Sequence, residues 1–187
     1  MLVVTRRLVA LSAAALMTVA ALGACTQPSP EPSRSTAPAV KHTPAFASDA
    51  DALKAATDAY AAYLKMSDTI AHDGGANPER IAAYASGRAL ERALADVKEY
   101  RARGVHTTGN TRFDSARLQS VDVGPPVSIV VYLCDDVSDV DVLNRDGQSL
   151  VNPYRTARTP FEVTADAGRT GHVTIRDREL WQGANYC

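Results

Sequence analysis

Three kinds of apolar spacing follow one another along the chain. Leu8 to Leu22 is a continuous apolar run broken only by Ser12 and Thr18. From Leu53 onward the apolar positions recur every three or four residues, and after residue 111 they alternate with polar ones. The second spacing predicts helices and the third predicts strands. Leu53, Ala56, Tyr60, Tyr63, Leu64 and Ile70 predict a long helix over 49–71, ended by Gly74-Gly75. Ser48 and Asp51 have capping-box spacing at its start, with Asp in place of the usual Glu. Asn77-Pro78 predicts an N-cap with proline at the first helical position, opening a short helix over 78–85 that turns Ile81 and Tyr84 inward. Ser86-Gly87 interrupts it. A third helix over 88–103 carries Leu90, Leu94, Val97 and Tyr100 in one stripe, with Arg101 and Arg103 in its last turn and Gly104 as its stop.

Four strands are predicted next. The first, 111–123, holds Phe113, Leu118, Val121 and Val123, with a register irregularity near Ala116. Gly124-Pro125-Pro126 turns the chain into 127–135, the most apolar strand and therefore the central one. Residues 136–153 are acidic and irregular, with an Asp146-Gly147 turn signal. Strands over 155–166 and 172–182 are separated by a turn over 167–171. Leu180 and Trp181 alternate along the last strand, so one of them is expected to face the core. Helices followed by a run of strands give an α+β fold class: N-terminal helices packed in a curved antiparallel sheet, because such a sheet has one face to bury and the long first helix fills it.

Residues 1–24 read as a signal peptide. Arg6 and Arg7 supply a short positive region, and the apolar run that follows is too short to span a bilayer, which takes about 20 residues. The arginine pair is also a weak twin-arginine match. Leu22-Gly23-Ala24-Cys25 resembles the bacterial lipobox, an aliphatic residue and two small residues before cysteine. That resemblance implies a diacylglyceryl group on the Cys25 thiol and cleavage just before it. The alternative is an ordinary secretory cut that leaves Cys25 a free or paired thiol. Two acyl chains suffice for stable anchoring, so the expected location is the extracytoplasmic face of the cell membrane, held through lipid on Cys25. Residues 25–47 then form a lipidated, proline-rich tether with Pro28, Pro30, Pro32, Pro38 and Pro44 and no apolar stripe. The single α+β domain is expected over 48–187, long enough for one core.

The element order resembles the nuclear-transport-factor-2-like, or ketosteroid-isomerase-like, cone fold, which is also called cystatin-like. More narrowly it resembles small lipoproteins of high-GC Gram-positive bacteria. The resemblance is carried by the long first helix, the helix pair from Asn77-Pro78-Glu79 to Gly104, the Val127–Asp136 strand, and a final hairpin ending in Leu180-Trp181-Gln182 before a C-terminal cysteine. Enzymes of that fold place an acid and a base inside the cone; no such set maps onto this chain residue by residue. Tyr60, Tyr63, Tyr132 and Trp181 are expected in core or rim packing, with the cone mouth as the other reading.

Charge and composition narrow the function further. The net charge is −1 over 187 residues, and loss of residues 1–24 leaves 18 basic against 21 acidic residues, or −3. No basic field marks a nucleic-acid partner. With Cys25 assigned to lipid, Cys134 and Cys187 remain as an even pair in an oxidising compartment, and a disulfide is expected; the alternative is a buried thiol at Cys134 and a free one at Cys187. Asp135, Asp136, Asp139 and Asp141 follow the central strand. Asp139 and Asp141 fit the first two ligand positions of a calcium loop, but Leu143 and Asn144 break the pattern, so a solvated acidic loop is expected. His42, His72, His106 and His172 have no metal-ligand spacing and are expected as surface or end-capping groups. Ser86-Gly87 lacks the glycine a nucleophile elbow needs. No catalytic residue, metal or cofactor is expected. The function read from this is a non-catalytic domain of the cell envelope that binds a small ligand or a protein. The rival readings are an isomerase or dehydratase using the cone cavity, which needs a convergent acid and base, and a structural envelope protein, which needs an exposed apolar patch.

Overall fold

The computed structural model describes residues 46–187. The expected signal peptide, Cys25, His42 and all of the tether but its last two residues lie outside the described residues. Helix α1 (Asp49–His72) starts as its sequence predicts: Ser48 is extended, and its hydroxyl accepts from the Asp51 amide at 3.2 Å and donates to the Asp51 carboxylate at 2.8 Å. Ala52, Ala56, Tyr60, Tyr63, Leu64 and Ile70 are its buried face, with Leu53 half-buried beside them.

The second helix departs from expectation. Residues Pro78–Ala83 form a 3-10 helix, and Asn77 is left-handed (φ 47°) with no side-chain cap. Two forces explain this. Arg80 reaches back to the carbonyls of Ala76 and Asn77 and to the Asp73 carboxylate. Beyond it, the backbone is claimed by a strand: Ile175 N donates to Tyr84 O at 2.9 Å, and Ser86 N donates to Ile175 O at 2.9 Å. Those bonds pull the chain straight before an α-helical turn can extend. Helix α2 (Gly87–Arg103) ends at Gly104 in the left-handed conformation, as expected (φ 63°). Its inward stripe is Ala89, Leu90, Ala93 and Val97, and Leu94 is exposed. Arg88 and Arg92 fasten α2 across the sheet edge to Asp177 and Glu179.

The alternating region folds into two sheets. A two-stranded ribbon pairs β1 (His106–Thr108) with β4 (Asp141–Leu143), both unanticipated by the hydrophobic pattern. The main sheet contains β2 (Arg112–Asp122), β3 (Val127–Asp136), β5 (Arg158–Ala167) and β6 (Val173–Leu180), in spatial order β2-β3-β5-β6, antiparallel throughout. The most apolar strand, β3, is indeed internal, with Ile129, Val131 and Leu133 fully buried against α1. The irregularity expected near Ala116 is a register shift between Asp114 and Arg117, with Ser115 at φ 55°. A second shift lies in β6: Ala165 pairs with Ile175 but Thr164 pairs with Asp177, leaving Arg176 as an extra residue. This bulge moves Arg178 onto the inward parity, opposite buried Val163.

The last strand also corrects an expectation. Neither Leu180 nor Trp181 joins the core. Leu180 is exposed. Trp181 packs edge-on against Tyr132 (5.0 Å between ring centres) and Tyr186 (6.2 Å). Tyr132 alternates with buried Val131 and Leu133, so this aromatic cluster lies on the outer face of the sheet rather than at the cone mouth. Cys134 and Cys187 are disulfide-bonded with Cα atoms 5.7 Å apart, which secures the tail across that outer face.

Candidate functional site

At one end of the cone three polar side chains meet in an apolar setting. Tyr60, from the middle of α1, donates its hydroxyl hydrogen to the Asp135 carboxylate, whose oxygens lie 2.8 and 2.9 Å away. Arg178 donates from Nε to the same hydroxyl at 2.8 Å and from Nη2 to Asp135. The guanidinium is also stacked on Phe161, 3.5 Å from the ring centre. Tyr60 and Asp135 are buried. Burial raises the Tyr60 hydroxyl well above its ordinary pKa, so it stays a neutral donor. Burial opposes the Arg178 charge, but Tyr60 and Asp135 outweigh it and hold its pKa above the usual value.

Asp135 is therefore no part of a solvated acidic loop. Its position was legible, since Ile129, Val131, Leu133 and Asp135 share one parity of an apolar strand. Arg178 was not, because the bulge that turns it inward has no local signature. The other three acids are dispersed. Asp136 accepts from Ser138 N at 2.9 Å, Asp139 pairs with Arg112 at 2.5 Å, and Asp141 accepts from Ser149 Oγ at 2.6 Å. Among the described residues no three His, Cys, Asp or Glu side chains converge as metal ligands. His72 donates from Nε2 to Gly109 O at 2.6 Å, and His172 donates to Ala83 O at 3.0 Å, so both tie loops to helices.

Beside the triad a cleft of about 320 Å³ runs between α1, α2 and the β1–β4 ribbon. Tyr63, packed on Tyr60 with ring centres 6.0 Å apart, forms one wall, and Tyr100 of α2 forms another. Burial raises the pKa of both phenols. Leu64, Ile70, Ile81, Val97, Val140 and Val142 supply the apolar lining. Four charged residues face the same space. Half-buried Asp68 accepts from Thr111 N and Thr111 Oγ1, both at 2.9 Å; burial outweighs these bonds and raises its carboxyl pKa. Asp96 stands at the rim, its pKa raised first by desolvation and lowered in part by Arg178. Arg155 donates from Nη2 to the carbonyls of Val137 and Val140, fastening the segment between β3 and β4. Arg178 is the fourth, and its charge is matched by Asp135. Among the described residues, no ion pair involves Asp68, Asp96 or Arg155. Sequence reasoning named none of these three, because lone charges on α1, on α2 and in a loop look like ordinary surface.

A wider groove of about 690 Å³ lies at the other end of the sheet, between the β2–β3 and β5–β6 turns. Arg169 is its one charged lining residue, and it offers no comparable chemistry. Among the described residues, no helix is long and apolar enough to cross a membrane.

No family model matches the chain, and no curated protein matches it. Solved structures do resemble it. The intermembrane-space region of the chloroplast protein ARC6 aligns over 70% of this chain and 97% of its own, with a TM-score of 0.50 and 11% identity. Aln2 from a Streptomyces species aligns over 66% of this chain and 85% of its own, with a TM-score of 0.36 and 21% identity. At 11% identity the likeness to the ARC6 region is one of fold alone.

Proposed function

We propose that this chain is a lipid-anchored, extracytoplasmic domain of the bacterial cell envelope that binds a small ligand in the cleft between α1, α2 and the β1–β4 ribbon. The anchoring half rests on the lipobox-like Leu22-Gly23-Ala24-Cys25 and on the resemblance to high-GC Gram-positive lipoproteins of the ketosteroid-isomerase-like fold. The binding half rests on one observation: three charged side chains without ionic partners border a single cleft of about 320 Å³ with an apolar lining. That volume is at the small end of the roughly 300–1,000 Å³ common for ligand sites. Asp68 and Arg155 are hydrogen-bonded to Thr111 and to backbone carbonyls but, like the exposed Asp96, have no opposite charge within 4.0 Å among the described residues, so a ligand's charges would meet them without breaking an ion pair.

Two measurements test the two halves separately. Cys25→Ser removes the thiol needed for thioether formation, so the mature protein loses its lipid mass and leaves the detergent phase on partitioning; retention of both sinks the anchor. Native mass spectrometry of protein isolated from its own membranes detects a small molecule that departs on denaturation, and Asp96→Asn together with Tyr100→Ala diminishes that adduct. The absence of any adduct in the unaltered protein counts against the binding half.

One observation favours a second reading. Asp68 and Asp96 both have carboxyl pKa values raised by burial and border one space, which suits an acid and a base for an isomerase or dehydratase. Solvent deuterium entering a carbon–hydrogen bond of the bound molecule distinguishes that enzyme from a binding domain, which leaves the molecule unlabelled.

A further inference from the structure

We propose that the ligand of this cleft is a small zwitterion with an apolar body, an amino acid or short peptide whose ammonium lies toward Asp68 and Asp96 and whose carboxylate lies toward Arg155. This rests on the ligand-binding reading above and adds the chemical class. Opposite charges that share a small cleft form ion pairs when they can reach each other, because attraction strengthens as solvent is excluded. Here none does: neither Arg155 nor Arg178 comes within 4.0 Å of Asp68 or Asp96. Both guanidiniums are held back by other bonds. Arg155 is fixed to the Val137 and Val140 carbonyls, and Arg178 to Asp135 and Tyr60. Neither guanidinium of the cleft thus closes an ion pair with either carboxylate.

Each simpler class of ligand leaves one wall unmatched. An anion answers Arg155 and is repelled by the two carboxylates. A cation answers the carboxylates and leaves the guanidinium alone, and a neutral molecule answers neither. A molecule carrying both charges a few bonds apart satisfies both walls, and a guanidinium fork suits a carboxylate in particular. The aliphatic lining and the Tyr63 ring then cover an apolar side chain. Ser67 lines the cleft as well, and its hydroxyl, shielded from solvent, lies beside the Tyr63 phenol.

The test is a titration of the mature lipidated protein in detergent micelles with L-leucine, L-leucinamide, N-acetyl-L-leucine and N-acetyl-L-leucinamide, followed by calorimetry and by the NMR signals of the Tyr63 and Tyr100 rings. Leucine is expected to bind at least tenfold more tightly than either singly capped form, with the doubly capped form weakest. Asp96→Asn, on the rim of a helix face, is expected to shrink the preference for leucine over N-acetyl-leucine. Arg155→Gln is expected to shrink the preference over leucinamide; if it fails to fold, the four-ligand series on the unaltered protein still decides. Equal affinities, or a preference for a singly charged or uncharged form, overturn the zwitterion and leave the cleft a binding site. No heat and no shift of either ring with any of the four overturns the binding reading as well.

Discussion

Tyr60 and Asp135 are 75 residues apart in sequence, and the tyrosine hydroxyl lies 2.8 Å from the nearer carboxylate oxygen in the interior of the cone. This bond joins the middle of α1 to the end of β3, and Arg178 of β6 closes the arrangement from the third side. It is a polar clamp on the packing of helix against sheet. Its members are bonded to one another, which is what makes their burial tolerable.

Removing one member takes a hydrogen bond from each of the other two, which stay bonded to each other. Tyr60→Phe deletes the donor to Asp135 and the acceptor for Arg178 Nε while keeping the ring that packs on Phe113. The expected cost is about 1–3 kcal/mol, the penalty for stranding buried polar groups. Asp135→Ala strands a largely buried guanidinium and is expected to cost more, about 3–5 kcal/mol. Urea denaturation checks both; a neutral Tyr60→Phe would show that water replaces the hydroxyl and that the clamp adds nothing.

Gly109 lies in the turn between β1 and β2 with φ 75°, and a Cβ there would sit 1.8 Å from the carbonyl oxygen of Asp139. That neighbour is backbone and cannot rotate away. Gly109→Ala is therefore expected to destabilise by at least about 3 kcal/mol, combining a left-handed residue with a main-chain collision. It should also detach the β1–β4 ribbon, since His72 holds the Gly109 carbonyl. Hydrogen exchange at Thr107 reports that loss; unchanged protection with unchanged stability contradicts it.

The two cleft carboxylates set a pH dependence opposite to that of ion-paired acids. Burial raises the folded-state pKa of Asp68 and Asp96 above the unfolded value near ~3.9. The stability each contributes is therefore fully present below that unfolded value and is lost as pH rises through the folded pKa. The stability of the unaltered protein minus that of Asp96→Asn is expected to fall with rising pH across that window. A flat difference would mean that solvent reaches the Asp96 carboxylate fully.

The Cys134–Cys187 bond closes a separation of 53 residues, for which the chain-entropy relation gives about 4 kcal/mol. Reduction is expected to lower the melting temperature and release the tail. Tyr186, whose hydroxyl donates to Leu133 O at 3.4 Å, then leaves Trp181. Emission from Trp181, the single tryptophan, should shift to longer wavelength on reduction before the helical signal changes. Coincident loss of both signals would show that the tail and the helices unfold as one unit.

How much of this was readable in the chain depends on the range of the interaction. The inward face of α1, the dominance of β3, the bulge near Ala116 and the left-handed stop at Gly104 follow from spacing and from single residues, because burial repeats with the period of the element. The Cys134–Cys187 pairing was legible as a remainder, once Cys25 was given another role. The 3-10 geometry of Pro78–Ala83 was not, since it answers to hydrogen bonds with Ile175 almost a hundred residues away. Three-residue strands such as β1 and β4 are too short to show any period at all.

The sequence by itself determined the class of fold, the inward faces of α1 and β3, and the chemistry available at each position. The folded structure decided which polar groups meet. Asp135 follows its strand's parity inward wherever that strand lies, but its partners exist only because α1 crosses β3 at Tyr60 and a bulge in β6 turns Arg178 toward the core. Likewise Asp68, Asp96 and Arg155 become walls of one cleft only when two helices and a ribbon close around it. Burial is written into a chain locally, as a period; the pairing of charges depends on which surfaces pack together, and that is settled by the whole core at once.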